Sequence, residues 1–374
     1  MISLCMIVRN EQYCLDKCLE NIQWPITEVI IVDTGSTDKT IEIAKRYTNK
    51  VYILPFCDDF SEARNYSISK ATNKWILVLD ADEYMNLSDI KALEKEVRNM
   101  ESQGFFGARI WNYDYYQNGG WSVRSITRLF KNDPSIYYER SVNETISFTI
   151  QKKNSDIMVT PLNIHHTGYL KKSDYIEYKH NRYTTLLKKD IDLGDDTLRY
   201  YYAKEHMLKH DTKRAFELCN EAMNIKVHTQ LINLKGDIYL EEEKYDLAEK
   251  CYKEVLQRKH QYMSKFYFHA VNRLAEISFM IGKYEKALEW YSLLGEKGRK
   301  LAHVLVNTAL IYEKMGQFEN SLQYYKAAIN INPEIVKYDF RFQLEGHYTD
   351  TFMQFKGVKT GLSNLGEEDQ DGKR

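Results

Sequence analysis

Apolar residues fall in short unbroken runs along the first eighty positions and at helical spacing beyond about residue 170. Residues 2–8, 29–32, 51–54 and 75–79 read as strands buried on both faces. Between the first two, Cys14, Leu15, Cys18, Leu19 and Ile22 mark a helix over 12–22, and further helices are predicted near 37–47 and 60–71. Strands alternating with helices at this spacing predict a parallel, right-handed, doubly wound sheet. The fourth strand stops on Asp80-Ala81-Asp82-Glu83. Two carboxylates spaced by two residues share one side of an extended chain, at the strand end where open α/β sheets bind ligands. Such a pair repels itself unless a cation lies beside it, and a divalent cation carrying a diphosphate is one occupant. A solvated acidic turn is the other reading.

The polar residues at the other strand ends bear on this choice. Arg9, Asn10 and Glu11 follow the first strand, and Asp33 follows the second within Asp33-Thr34-Gly35-Ser36-Thr37-Asp38. Gly35 permits a tight turn there, and Ser36 or Thr37 is expected to cap the next helix. The chain has neither G-x-G-x-x-G nor a phosphate-loop motif, which argues against a dinucleotide or a P-loop site. Downstream, Leu87, Ile90, Leu93, Val97 and Met100 form the stripe of a helix over 87–101, with Ser88 as its expected cap. Residues 105–148 are strand-like and aromatic, with Gly119-Gly120 as a hairpin turn. A helix over about 171–190 follows.

Beyond it no strand signal remains. The small residues Ala215, Ala248, Ala287 and Ser321 lie 33, 39 and 34 positions apart, with Gly236, Ala275 and Ala309 upstream of the last three. A period near 34 with small residues where helices touch is the tetratricopeptide signature, and Pro333 would close the last repeat. Such an array is expected to curve into a solenoid with a concave face, serving as a peptide groove, a scaffold or a homodimer contact. The tyrosines of this half, among 29 in the chain, fall mostly at helix-packing phases. The stretch 357–374, polar and glycine-containing, reads as a disordered tail.

Composition narrows the function classes. A net charge of −1 supplies no basic field for nucleic acid. The apolar run at 2–8 is too short to span a membrane and has no basic leader, so the chain reads as cytoplasmic. Six scattered cysteines lack paired zinc spacing, and Cys14 and Cys18 read as buried thiols on a helix.

Four motifs occur in order over about eighty residues: Cys5-Met6-Ile7-Val8-Arg9-Asn10-Glu11, the turn at Asp33, Asp58-Asp59-Phe60-Ser61-Glu62-Ala63-Arg64-Asn65, and the stretch Trp75 to Glu83. Together they resemble the family 2 glycosyltransferases of the GT-A fold, most closely the bacterial branch with tetratricopeptide repeats that includes the sublancin-type peptide S-glycosyltransferases. The resemblance implies an α/β GT-A domain, with a Rossmann-like sheet binding a UDP-sugar, followed by an all-α tetratricopeptide solenoid. The boundaries expected are 1–170 for the transferase domain, 171–196 for a linker helix, 197–340 for the repeats and 341–374 for a terminal extension. It implies nucleotide-sugar binding by Arg9, Asn10, Glu11, Asp33, Arg64, Asp80, Ala81 and Arg128, with Asp80 near the ribose. It also implies a Mg or Mn ion on Asp82. Where many members have two acidic residues after the second strand, this chain has Asp33 and then Thr34.

In Tyr137-Tyr138-Glu139-Arg140-Ser141-Val142-Asn143-Glu144, Asn143 stands where the family commonly has His, while Glu144 matches its acidic position. An inverting transfer needs one base opposite the leaving diphosphate. Glu144 is the candidate, Glu139 and Asp114 are rivals, and a structural carboxylate bound to Arg140 or Arg128 is the alternative. In Asn163-Ile164-His165-His166-Thr167-Gly168-Tyr169 the family's His-x-Gly-Tyr matches His166, which is implied as a second metal ligand. Adjacent strand residues point to opposite faces, so His165 is not expected to share the role. The expected reaction moves a hexose, glucose foremost by the resemblance, from a UDP-hexose to Cys, Ser or Thr of a peptide or protein held partly by the repeats. A small ribosomal peptide such as a bacteriocin is the acceptor toward which the resemblance leans. Transfer to a cell-surface or lipid-linked acceptor, and a non-catalytic repeat-based binding protein, are the alternatives.

Overall fold

A computed structural model describes residues 1–115, 121–153, 155–171, 173–258 and 265–332. The chain divides into two compact units, one formed by residues 1–114 and 124–171, the other by 115–123 and the residues from 172 onward. The first opens with β1 (Ile2–Val8), α1 (Leu15–Leu19), β2 (Ile26–Asp33), α2 (Thr40–Tyr47), β3 (Val51–Ile53), α3 (Phe60–Ser69) and β4 (Trp75–Val78). Then come β5 (Glu83–Tyr84), α4 (Leu87–Gln103), β6 (Gly107–Tyr115), β7 (Trp121–Lys131), α5 (Ser147–Gln151) and β8 (Ile157–His166).

These strands form one eight-stranded sheet in the order β3-β2-β1-β4-β7-β6-β8-β5. β1 lies parallel between β2 and β4, and β3 is parallel to β2. Leu4, Ile31, Leu77 and Leu129 from four strands are fully buried in one core with α1 and α4. β1 and β2 end level, Val8 pairing with Asp33, while β4 stops at Val78 opposite Cys5 and its turn continues toward the same edge. The polar residues after β1, β2 and β4 therefore gather along a single sheet edge.

The first four strands are parallel, as their alternation with helices predicts, and the sheet becomes mixed beyond them. β7 runs antiparallel to β4, and β8 is parallel to β6 but antiparallel to β5. Helices α1, α2 and α3 connect the first four strands in turn. Two registers matter for the site: Glu83 pairs with His166 and Asp114 with His166. The short strand after the acidic turn is thereby stitched to the histidine pair.

Local corrections also follow. α1 is shorter than 12–22, and β4 ends before Asp80, so Asp80 and Asp82 belong to a turn in which the Glu83 amide donates to the Asp80 carbonyl at 2.9 Å. They do not share one side of a strand. Ser36 and Thr37 do not cap α2; Lys39 holds that position, and Asp38 accepts from the Thr40 amide instead. Ser88 lies inside α4, whose cap residue is Asn86. Residues 132–146 carry no helix or long strand, only an isolated bridge between Glu139 and Thr145. The expected turn at Gly119-Gly120, Pro333 and the terminal stretch lie outside the described residues.

The second unit is helical: α6 (Ser173–Asp192), then α7 (Arg199–Leu208) with α8 (Thr212–Ile225), α9 (Thr229–Glu241) with α10 (Tyr245–Gln257), and α11 (Lys265–Met280) with α12 (Tyr284–Ser292). A one-turn α13 (Gly295–Gly298) precedes α14 (Ala302–Lys314) and α15 (Phe318–Ile331). Each pair packs within itself and against the next. Ala215, Ala248 and Ala287 are fully buried, as small contact residues should be. At Gly236 a Cβ would lie 2.7 Å from the Tyr252 ring, so only glycine lets α9 and α10 approach this closely. Of the tyrosines expected at packing positions, Tyr267, Tyr291 and Tyr325 are buried, while Tyr200, Tyr201, Tyr202, Tyr239, Tyr312 and Tyr324 are half-buried.

Candidate active site

The loops after β1 and β2 are laced together. Asn10 adopts φ 55°, a left-handed conformation that Asn tolerates, and its side-chain oxygen accepts from the Thr37 amide at 2.8 Å. The Asn10 amide donates to Ser36 Oγ and the Glu11 amide to Thr40 Oγ1, at 2.9 and 2.7 Å. Arg9 is exposed beside them. Asp33 is buried; its Oδ1 accepts from the Gly35 and Ser36 amides at 2.9 and 2.8 Å, while Oδ2 has no hydrogen-bond partner. Gly35, at φ 112°, makes this turn affordable only for glycine.

Asp80 and Asp82 face different partners. Asp80 is held by two guanidinium groups, Arg64 Nη2 on Oδ1 and Arg128 Nη2 on Oδ2, both at 2.8 Å. Against the cost of burial, Arg128 and Arg64 keep the Asp80 carboxyl well below the usual carboxylate range. Arg128 also bonds Glu83 at 2.7 Å, and Glu83 accepts from the Asp80 amide. Burial pushes Glu83 upward even so. Arg64 Nε donates to Glu144 at 2.7 Å, and the Arg64 guanidinium lies 5.6 Å from the Tyr138 ring centre. Arg64 Nη1 and Arg128 Nε are buried donors without a partner. Ala81 is buried in the sheet core and anchors the turn.

Glu144 therefore pairs with Arg64, not with Arg140 or Arg128. Its loop is positioned from α3: Asn65 clamps the Tyr138 backbone with two bonds, at 2.9 and 2.8 Å, and the Phe60 amide donates to the Ser141 carbonyl. Asn143 has φ 50°, which accounts physically for an Asn at this position. Glu139 pairs with Lys152 at 2.8 Å, away from this cluster's ion pairs.

Asp82 looks toward His166, with Nε2 3.5 Å from Oδ1. The other ring nitrogen, Nδ1, lies 2.5 Å from Asp114, whose second oxygen meets Arg124 at 3.2 Å. Burial lowers the His166 pKa, but Asp82 and Asp114 outweigh it and raise it to about 10. A Cβ at Gly168 would sit 2.5 Å from both Asp82 Oδ2 and His166 Nε2, so glycine keeps this space clear. A carboxylate behind one ring nitrogen, with the other facing a second carboxylate across such a gap, suits a divalent cation. Among the described residues no group of three His, Cys, Asp or Glu could hold a metal by itself. Asp82 and His166 thus fit an ion whose remaining ligands are phosphate oxygens and water. His165 points to the other face, stacked on Tyr84 and Tyr113 with Nε2 3.1 Å from Asn86.

Lys171 completes the arrangement, its Nζ 2.7 and 2.8 Å from the two Glu11 oxygens and 3.2 Å from Asp82 Oδ2. Sequence reasoning passed over Lys171 and Glu83 and gave Asp114 only as a rival base. The signal within reach was position: Glu83 adjoins the acidic turn, and Lys171 follows the His-Thr-Gly-Tyr run by two residues.

Among the described residues no helix is long and apolar enough to cross a membrane. Residues 3–175 match Glycosyl transferase family 2, and 229–261 and 302–335 match the tetratricopeptide repeat. A TPR repeat-containing protein of Synechococcus elongatus is 37% identical over 174 residues, covering 45% of this chain and 42% of that protein. The SPbeta prophage-derived glycosyltransferase SunS of Bacillus subtilis is 27% identical over 225 residues, covering 59% and 52%. An uncharacterized glycosyltransferase of Haemophilus influenzae is 26% identical over 182 residues, covering 45% and 69%. The match thus spans about half the length of the first two relatives. By motif, sheet and family match, residues 3–175 are a glycosyl transferase family 2 domain of GT-A type, joined in one chain to tetratricopeptide repeats.

Proposed function

We propose that the chain is a metal-assisted, inverting glycosyltransferase that moves a hexose, glucose foremost, from a UDP-sugar to a Cys, Ser or Thr side chain of a peptide or protein. The observation that carries this reading is the divided acidic turn: Asp80 is locked between two arginines, while Asp82 faces His166 across the space kept by Gly168. In this reading the loop at Arg9, Asn10 and Glu11 borders the uridine, and the partnerless Asp33 Oδ2 accepts from the base or ribose. Asp80, oriented by Arg64 and Arg128, faces the ribose, with Ala81 seating the turn. Asp82 and His166 would hold Mg or Mn, which supplies positive charge to the departing diphosphate.

Glu144 is the proposed base. As the acceptor oxygen or sulfur bonds to the sugar C1, the bond from C1 to the diphosphate oxygen breaks with its electron pair, and Glu144 takes the acceptor's proton. Arg64 fixes the direction of that carboxylate. Asp114 suits the role less, because His166, Asn112 and Arg124 already occupy its two oxygens. A thiol acceptor would lessen the demand on the base, since cysteine ionises near neutral pH. The repeats, assigned to 197–340 after a linker over 171–196, would hold the peptide, a use that repeat arrays serve with their stacked inner helices. The similarity to SunS and the sublancin-type enzymes supports a peptide acceptor.

The test is UDP release from a panel of UDP-sugars with Mg or Mn, with and without cysteine-containing peptides. Metal-dependent release stimulated by a peptide is the expected result. No release from any donor would overturn the reading.

A further inference from the structure

We infer that Lys171 is a diphosphate-binding residue of the donor site, parked on Glu11 and Asp82 until the nucleotide and its cation arrive; this rests on the donor-site reading above. Glu11 and Asp82 follow β1 and β4, which are adjacent parallel strands, so two carboxylates meet at one edge. Lys171 bonds both Glu11 oxygens and lies 3.2 Å from Asp82 Oδ2. Its backbone is tied to the same turn. The Thr167 amide donates to the Asp82 carbonyl at 2.9 Å, Thr167 Oγ1 donates to that carbonyl at 3.1 Å, and the Leu170 amide closes on Thr167 at 2.9 Å. One short segment thus carries both a candidate metal ligand, His166, and a cation.

A divalent ion bound by Asp82 and an ammonium at 3.2 Å from the same carboxylate repel each other strongly in a half-buried site. The ion's arrival therefore shifts Lys171 off Asp82. Glu11 retains it nearby, and the four-carbon stem with three donors lets it turn toward the nearest new anion. That anion is the diphosphate delivered with the ion. Two consequences of opposite sign follow. Removing the ammonium weakens nucleotide binding, because a phosphate loses a charged donor. It strengthens binding of the bare ion, because Asp82 loses a competing cation and gains the freed charge of Glu11.

The experiment uses the full chain and two probes, UDP by calorimetry with and without Mn2+, and Mn2+ alone by electron paramagnetic resonance. Lys171→Met should weaken UDP binding at saturating Mn2+ about tenfold to a hundredfold and tighten Mn2+ binding alone several-fold. Lys171→Arg should restore most of the UDP affinity. A merely structural lysine would change the melting temperature without driving the two affinities in opposite directions. UDP affinity unchanged in Lys171→Met, or Mn2+ affinity reduced, would overturn the proposal. Should that variant not fold, Lys171→Gln is read by the same two criteria. If the unaltered chain binds no UDP under either condition, the donor-site reading itself fails; normal binding by the chain and its Lys171 variants removes only the lysine's role.

Discussion

Two buried ionic clusters, one in each unit, share the same chemistry but sit in different surroundings. In the sheet unit Asp80 is gripped by Arg64 and Arg128; in the repeat unit Asp237 is gripped by His269 at 2.9 Å, Arg273 at 3.2 Å and the Tyr252 hydroxyl at 2.7 Å. In both, cationic partners hold the aspartate, half-buried at Asp80 and buried at Asp237, below its usual range against the cost of burial. The Asp237 cluster draws on three packed helices, α9, α10 and α11, and Arg273 passes to Glu276 one turn along at 2.7 Å. Its residues are fixed by helix spacing. The Asp80 cluster draws on a helix, a turn, a strand and a loop, and beside it stands a second carboxylate with its own separate partners. Burial of charge alone does not mark a site; convergence of chain segments at strand ends does.

The contrast can be broken most sharply by replacing one aspartate at each place with alanine. Asp82→Ala should lower UDP-sugar turnover by about a thousandfold or more, as expected when charge stabilisation of the leaving group is lost, with the melting temperature nearly unchanged. Asp237→Ala should do the reverse: it leaves Arg273 buried beside a void and should destabilise the fold by about 3–5 kcal/mol, read by urea unfolding. Gly168→Ala places a methyl within 2.5 Å of both Asp82 and His166 and should weaken Mn2+ binding about tenfold to a hundredfold, seen by paramagnetic resonance.

Asp89 sharpens the comparison with the smallest effect. It accepts from the Asn163 amide and side chain, with no cationic partner among the described residues, and burial raises its pKa to about 6. A raised folded-state value favours the protonated form, so its contribution is fully present below the unfolded value near 4 and is lost as pH rises through about 6. Asp89→Asn keeps an acceptor without the charge. The variant should gain stability relative to the parent, by about 1–2 kcal/mol, as pH rises from 4 to 7. Paired melting curves across that range check it; a constant difference would contradict it.

Much of the polar sheet edge is legible in the sequence, because strand ends are written locally: an apolar run followed by Asp, Gly or Asn. Asp33, Asp80 and Asp82 announce themselves in this way, whereas Arg64, on a helix, and His166 stand out only by resemblance of motif. What the sequence did not disclose is pairing over long separations. That Glu144 meets Arg64, eighty positions away, depends on Asn65 clamping Tyr138, and no local pattern encodes it. Lys171 reads as one lysine among many until the register of β5 with β8 brings His166 beside the acidic turn. The parallel expectation holds for β1 to β4, and no apolar pattern announces that β7 beside them runs antiparallel. Buried strands on either side of a hairpin show the same apolar runs as parallel ones, and direction is set by connection, not composition.

The central claim is that Asp82 and His166 together bind a divalent cation that a nucleotide diphosphate completes. Titrating Mn2+ into the full chain by electron paramagnetic resonance, with and without UDP, tests it most directly. The account predicts weak Mn2+ binding alone, marked tightening when UDP is present, and loss of that tightening in Asp82→Asn and in His166→Ala. Mn2+ binding that is indifferent to UDP, or that survives both substitutions, would contradict it.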